Sequence, residues 1–190
     1  MAPASRPLPP RRFSLVHKAA GADVLGPAVI REATLGDRPG IRQMRRRVWH
    51  ATYGDTWPAD AIDDFFDGGI ELLADHSQNW TPPFINVVAH VDGEIVGAAA
   101  SGVLPDGEGE LVSLNVLPGH HGTGVAQQLW EATISALRER GCASMQIWVV
   151  ESNARARRFY EKQGAAEFAS GTATLGGIAA KEVCYRFVFS

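Results

Sequence analysis

Apolar positions recur along this chain in two rhythms, and the points where the rhythm changes predict its elements. Leu111, Val112, Leu114 and Val116 form a strand-like run that Pro118 and Gly119 end, and a helical apolar period follows from about Val125 to Leu137. Upstream, Val29–Ala33 reads as a first strand. Thr34 and Asp37 supply cap residues for a helix to about Tyr53, and Pro58 opens a second helix to about Leu73. Asn86–Val91 and Ile95–Ser101 read as strands joined by Asp92-Gly93-Glu94, the strongest local hairpin signal in the chain. Downstream, Met145–Val150 reads as a buried strand, Asn153 opens a helix, and two last strands fall near Ala166–Gly171 and Glu182–Phe189. Strands interleaved with helices, without internal repeats, predict one mixed α/β domain over residues 27–190. Residues 1–26, with Pro3, Pro7, Pro9, Pro10 and scattered arginines, read as a flexible extension whose prolines oppose the amphipathic helix of a transit peptide.

Composition narrows the class. With 190 residues, 45% of them hydrophobic, the chain can bury a core without disulfides or metal. A net charge of -3 leaves no electrostatic footprint for nucleic acid or an anionic membrane. Cys142 and Cys184 have no CxxC or Cys/His spacing, so both read as reduced packing residues of a cytoplasmic protein. Adjacent His120 and His121 lie on a turn without a carboxylate pattern, which argues against a metal. The apolar stretches are too short and interrupted to span a bilayer.

The chemistry concentrates where the Glu110–Val116 strand gives way to His121-Gly-Thr-Gly-Val-Ala126 and a helix. Backbone N–H groups at such a helix start lack intrahelical partners, and the dipole end is positive, so an anion can bind there without a cationic side chain. Spacing excludes two ligands. Counting from Gly122, Gln127 stands where a dinucleotide fingerprint needs its third glycine, and Gly124 is followed by Val125 and Ala126 where a triphosphate loop needs Lys and Ser/Thr. What remains resembles the pyrophosphate loop of the GNAT superfamily of N-acetyltransferases, Arg/Gln-x-x-Gly-x-Gly/Ala, at His121, Gly124 and Ala126, with His121 replacing the usual Arg or Gln. About thirty residues on, Asn153-Ala-Arg-Ala-Arg-Arg-Phe159-Tyr160-Glu-Lys-Gln-Gly164 resembles the family's second motif, Asn-x-x-Ala-x-x-Phe-Tyr-x-Lys-x-Gly-Phe, departing only at Ala165. Both motifs come in the family's order, and the resemblance extends from Val29 to the C-terminus.

The resemblance implies a GNAT fold: a mixed, mostly antiparallel twisted sheet of about seven strands flanked by helices, with a splayed parallel pair. It implies acetyl-coenzyme A as co-substrate and no metal. Leu114, Asn115 and Val116 would pair with pantetheine amides as an added strand does, and an N–H near Val116 would polarise the thioester. His121, Gly122, Thr123, Gly124, Val125 and Ala126 would hold the pyrophosphate. Asn153 would serve as a helix cap, a cofactor ligand, or both. Tyr160 matches the general acid that protonates the thiolate, against a plain reading as a core aromatic. Glu110 matches the glutamate that acts as base in histone-type members, against a solvated carboxylate beside a glycine turn. Trp148 stands where the ribosomal-protein acetylases carry their glutamate, which argues against protein N-terminal acetylation. Trp49, Tyr53, Asp55, Trp57, Asp60, Asp63, Asp64, Asp67, Glu71 and Asp75 fall on the acceptor side, where they would favour a cationic amine or else form a solvated face over core aromatics. The expected activity is acetyl transfer to a small-molecule or peptide amine; the alternative is a non-catalytic acyl-coenzyme A-binding module. A homodimer stays open.

Overall fold

A seven-stranded sheet in the order β1-β2-β3-β4-β5-β7-β6 carries the whole structure. The computed structural model describes residues 26–67, 84–175 and 177–189. Its strands are β1 (Val29–Glu32), β2 (Ile85–Val91), β3 (Glu94–Val103), β4 (Gly109–Val116), β5 (Ser144–Val150), β6 (Ala166–Leu175) and β7 (Ile178–Val188). Among the described residues four α-helices interrupt them: α1 (Arg38–Tyr53), α2 (Ala59–Asp67), α3 (Val125–Arg138) and α4 (Ala154–Lys162). Every neighbouring pair is antiparallel except β4 with β5.

The elements form where local chemistry demands. Asp92 and Gly93, both at positive φ, make the tight β2–β3 turn anticipated from the Asp-Gly pair. Before α1, the Asp37 carboxylate accepts from the backbone N–H and hydroxyl of Thr34 and is clasped by both terminal nitrogens of Arg31 at 2.7 and 2.8 Å. This bidentate pair holds the Asp37 carboxyl well below its usual range.

The two faces of the sheet have different cores. On one, α3 packs across β2, β3 and β4 with Leu129, Trp130 and Leu137 buried, joined by Met145, Ile147 and Val149 of β5. On the other, α1 crosses β3 and β4, and a smaller cluster under α1 and α2 joins Tyr53, Ile62, Phe65 and Phe66 to Val150 and Ala180. Helices on both faces explain why β3 is buried at nearly every position.

Two expectations shift. The last two strands run to Leu175 and begin at Ile178, well beyond the ranges read from the sequence, because β6 is a largely exposed strand of small polar residues with no apolar period to read. Trp148, placed in a buried strand, is 37% exposed. The second helix is described to Asp67, and its expected continuation to Leu73 lies outside the described residues, as do residues 1–25 of the expected extension. Among the described residues no helix is long and apolar enough to cross a membrane.

Close packing of α3 on β3 depends on Gly97, where a Cβ would stand 2.9 Å from Leu129 Cδ1 and 3.1 Å from the Asn115 carbonyl oxygen. Gly97→Val is expected to destabilise the fold by about 1–3 kcal/mol through overpacking, measured by denaturant unfolding.

Candidate active site

The β4–α3 junction is built as an anion cradle. Gly124 adopts φ +90° as the residue before α3, and Gly122 adopts φ +79°, conformations that favour glycine. The first intrahelical bond runs from the Gln128 N–H to the Gly124 carbonyl, so the N–H groups of Val125, Ala126 and Gln127 have no helical partner. Thr123 turns its hydroxyl onto the His120 carbonyl at 2.8 Å, which tightens the loop. His121 lines the cleft and turns its ring back toward the strand. Its Nε2 donates to the Val116 carbonyl at 3.0 Å and ties the loop back to the strand it left.

The strand edge beside the loop lies open. β4 and β5 pair at only two positions, Gly109 with Met145 and Glu110 with Gln146, and then diverge. On the other side of β4, the Leu117 N–H bonds to the Val96 carbonyl. Alternation along an antiparallel strand then directs Asn115 toward β3, and Leu114 and Val116 toward the divergence. Of the three residues expected to offer backbone groups, two therefore do so, while Asn115 lines the cleft as a buried side chain. A bulge at Val112 sets this phase, since Ser113 opposes Ala100 and Leu111 opposes Ser101.

Tyr160 enters the same cleft from α4. An aromatic cluster holds it, with ring centroids 5.9 Å from Trp130, 5.6 Å from Phe159 and 6.1 Å from Tyr185. Burial, with a smaller contribution from Tyr53, pushes the Tyr160 phenol far above its ordinary value, so it stays protonated. Asn153 serves both sides of the divergence. Its Oδ1 caps α4 by accepting from the Ala156 N–H at 3.1 Å, and its Nδ2 donates to the Tyr53 hydroxyl at 3.3 Å.

Together these residues line one cleft of about 730 Å³, which runs from Gly122 and Gly124 past Leu114 and Val116 to Tyr53, Asn153 and Tyr160. Its shape suits a long ligand with a phosphate end. The matching family profile, described as Acetyltransferase (GNAT) family, covers residues 41–165.

The chain belongs to the GNAT acetyltransferase family. It is similar to an uncharacterised N-acetyltransferase of Mycobacterium tuberculosis, 38% identical over 78 residues, 41% of this chain and 50% of that protein. A mycothiol acetyltransferase of Thermomonospora curvata is 32% identical over 99 residues, 52% of this chain and 33% of that protein. The chain thus spans half or less of the length of these two relatives. Among solved structures, the PaiA N-acetyltransferase of Thermoplasma acidophilum in complex with coenzyme A superposes with a TM-score of 0.70 at 16% identity, over 85% of this chain and 100% of that one. At that identity the likeness is one of GNAT fold.

Within this GNAT domain the expected base stands apart. Glu110 lies at the last paired position of β4 and β5 and does not line the cleft; burial raises its carboxyl. A second carboxylate, missed in the sequence, also stands off the cleft lining, on the same face of the sheet. Glu182 of β7 is partly buried, its carboxyl is raised by burial, and it stands close enough to Tyr53 to raise the phenol too, although burial is the larger cause there. Neither glutamate has an ion-pair partner among the described residues. Only strand pairing brings Glu182 to this place, so no local motif could have found it.

The acidic face expected on the acceptor side is partly neutralised. Asp63 accepts from His50 Nε2 at 2.9 Å and lies 3.7 Å from Arg46 Nε, and Asp67 pairs with the same arginine. The aromatics there are largely packing: Trp49 stacks on Phe65 at 4.5 Å and Tyr53 on Trp57 at 4.8 Å, although Trp49 and Tyr53 also line the cleft. Glu71 and Asp75 lie outside the described residues. Arg157 is occupied by the Tyr185 hydroxyl at 3.0 Å and Glu167 at 3.2 Å. Cys142 and Cys184 are free and buried, as packing residues should be.

A raised folded-state pKa signals a carboxylate whose charge costs stability once it ionises. Its favourable contribution is present below the unfolded value near ~4.3 and is lost as pH rises through the folded one. Glu110→Gln and Glu182→Gln are each expected to raise Tm, with the gain near zero at acid pH and growing toward neutrality. Thermal melts between acid and neutral pH measure it.

Proposed function

We propose that the protein transfers an acetyl group from acetyl-coenzyme A to a primary amine by direct attack within the cleft. The observation that carries this reading is the convergence, in one cavity, of a glycine cradle with unpartnered helix N–H groups, a strand edge at Leu114 and Val116 of which only the Val116 carbonyl is taken, by His121, and a protonated buried phenol at Tyr160. The donor supplies an activated thioester carbonyl.

The residues divide the remaining work. Val125, Ala126 and Gln127 offer N–H groups to phosphate oxygens at the positive end of α3, without cationic help. Gly122, Thr123 and Gly124 let that backbone approach closely, because no side chain fills the turn at either glycine. The edge groups of Leu114 and Val116 accept amide partners in the manner of an added strand. An N–H directed into the divergence also stabilises the oxyanion that forms as the amine attacks. Tyr160, kept neutral by burial, has its proton available for the departing thiolate. Glu110, about four residues and ~13 Å back along β4 from Leu114, could take a proton only through a chain of waters.

The acceptor is a small cationic or peptide amine. Asp55, Asp60 and Asp64, which unlike Asp63 and Asp67 have no basic partner on α1, support a cation on this side. Trp148, in place of a strand glutamate, sets this chain apart from the ribosomal-protein acetylases.

Two variants separate donor binding from chemistry. Gly124→Glu is expected to abolish acetyl-coenzyme A binding in a calorimetric titration, by clash at φ +90° and by charge repulsion, with the fold intact. Tyr160→Phe should lower kcat by about 10²-fold while the dissociation constant for coenzyme A stays unchanged. Binding without turnover of polyamine, aminoglycoside and peptide amines would instead favour a non-catalytic acyl-coenzyme A module.

A further inference from the structure

Strand register brings Glu182 next to Tyr53, a residue that lines the cleft, although Glu182 itself stands just behind the lining. β4 and β5 pair at Gly109 with Met145 and Glu110 with Gln146; the same offset carried along both strands brings Leu114 level with Val150, to within the residue added by the bulge. Val150 is in turn the antiparallel partner of Glu182. Directly opposed residues share a face of the sheet, and that of Val150 is the one covered by α1 and α2, where it packs beside Tyr53. Glu182 therefore stands at the height of the Leu114 and Val116 edge groups, on the acceptor side. Glu110 occupies the same face about 13 Å further back.

Its lack of partners is equally informative. Several neighbouring glutamates are engaged, Glu108 by Arg186 and Ser144, Glu161 by the Tyr185 hydroxyl and Glu167 by Arg157, whereas Glu110 and Glu151 share with Glu182 the lack of a side-chain partner among the described residues. Glu182 has no such partner among the described residues, yet its backbone is locked between β5 and β6. A carboxylate held in place and left unpaired is costly unless something cationic visits it. Around it, α1 contributes Tyr53, the same face of β7 contributes Cys184, β5 contributes Trp148, and β6 contributes only Gly171. From α2, Asp63 is already taken by His50 and Arg46.

We propose that Glu182 is the carboxylate that draws the acceptor ammonium to the thioester and takes the proton it loses, by direct contact or through one water beside Tyr53. The proposal rests on the acetyl-transfer reading above. The ammonium first releases one proton to solvent through Glu182; the neutral amine nitrogen then bonds to the acetyl carbon as the carbon–sulfur bond breaks, its second proton passes to Glu182, and the Tyr160 proton passes to the departing thiolate. Solvent then reprotonates Tyr160 and collects the proton from Glu182, so the cycle closes without a further reactant.

The test follows free thiol release from acetyl-coenzyme A with spermidine, tyramine and a lysine-containing tetrapeptide from about pH 5.5 to about 9.5, starting above the ordinary glutamate range and rising toward that of an amine. Glu182→Gln should lower kcat/KM by about 10²-fold and erase the acid limb of its pH profile, with coenzyme A binding unchanged and Tm not lowered. Glu182→Asp should recover part of the activity. A Glu182→Gln enzyme that keeps its acid limb and a kcat/KM near that of the wild type overturns the proposal. So does an acid limb that disappears in Glu110→Gln alone. Wild-type protein that binds coenzyme A yet turns over none of the amines overturns the acetyl-transfer reading, and this one with it.

Discussion

Everything in the site follows from the brevity of one strand pairing. β4 and β5 share two positions and then part, although β5 continues to pair with β7 along its whole length. A backbone edge in the middle of a sheet is normally saturated; here it is opened by geometry and remains shielded by helices on both faces. The gap admits a ligand backbone where a strand would lie, and it lets side chains from opposite faces of the sheet meet. Tyr160 arrives from the α3–α4 face and Tyr53 from the α1–α2 face, and only the missing pairing lets the two phenols influence each other.

Electrostatics divides that space by protonation state. The phenol of Tyr160 is held neutral by burial, and burial also raises the carboxyls of Glu110 and Glu182 above their ordinary range. A neutral acid and an unpaired base on opposite sides of a reacting carbonyl suit acyl transfer to an amine, which sheds one proton on one side while sulfur gains one on the other. The paired charges lie at the periphery, in the Arg31–Asp37 clasp before α1 and the Arg46 pairs with α2. Those pairs fix helices and are not free to meet a substrate.

Local chemistry was legible in the sequence and non-local pairing was not. The strand, glycine loop and helix around Gly124 could be read because each step is decided by neighbours in the chain: a β-branched run, residues tolerant of positive φ, then an apolar period. Asn153 and Tyr160 were legible for the same reason, as one short helix with its cap. Glu182 was invisible, since its meaning depends on a β7 register set by contacts with β5, some thirty residues away. The exposure of Trp148 and the quenching of Asp63 and Asp67 were hidden likewise, because each depends on what another element places opposite. Resemblance supplied the divergence of β4 and β5, which no hydrophobic pattern encodes.

The His121 side chain has a consequence for affinity. Its bond to the Val116 carbonyl satisfies an acceptor on the open edge of β4, so that edge is partly self-bound. Ligand entry at that point is an exchange of one donor for another, and the measured affinity is the difference between the two. The histidine thus acts as an internal competitor: replacing it changes the free state as much as the bound one, and a residue that need not touch phosphate can set how tightly the loop retains its ligand.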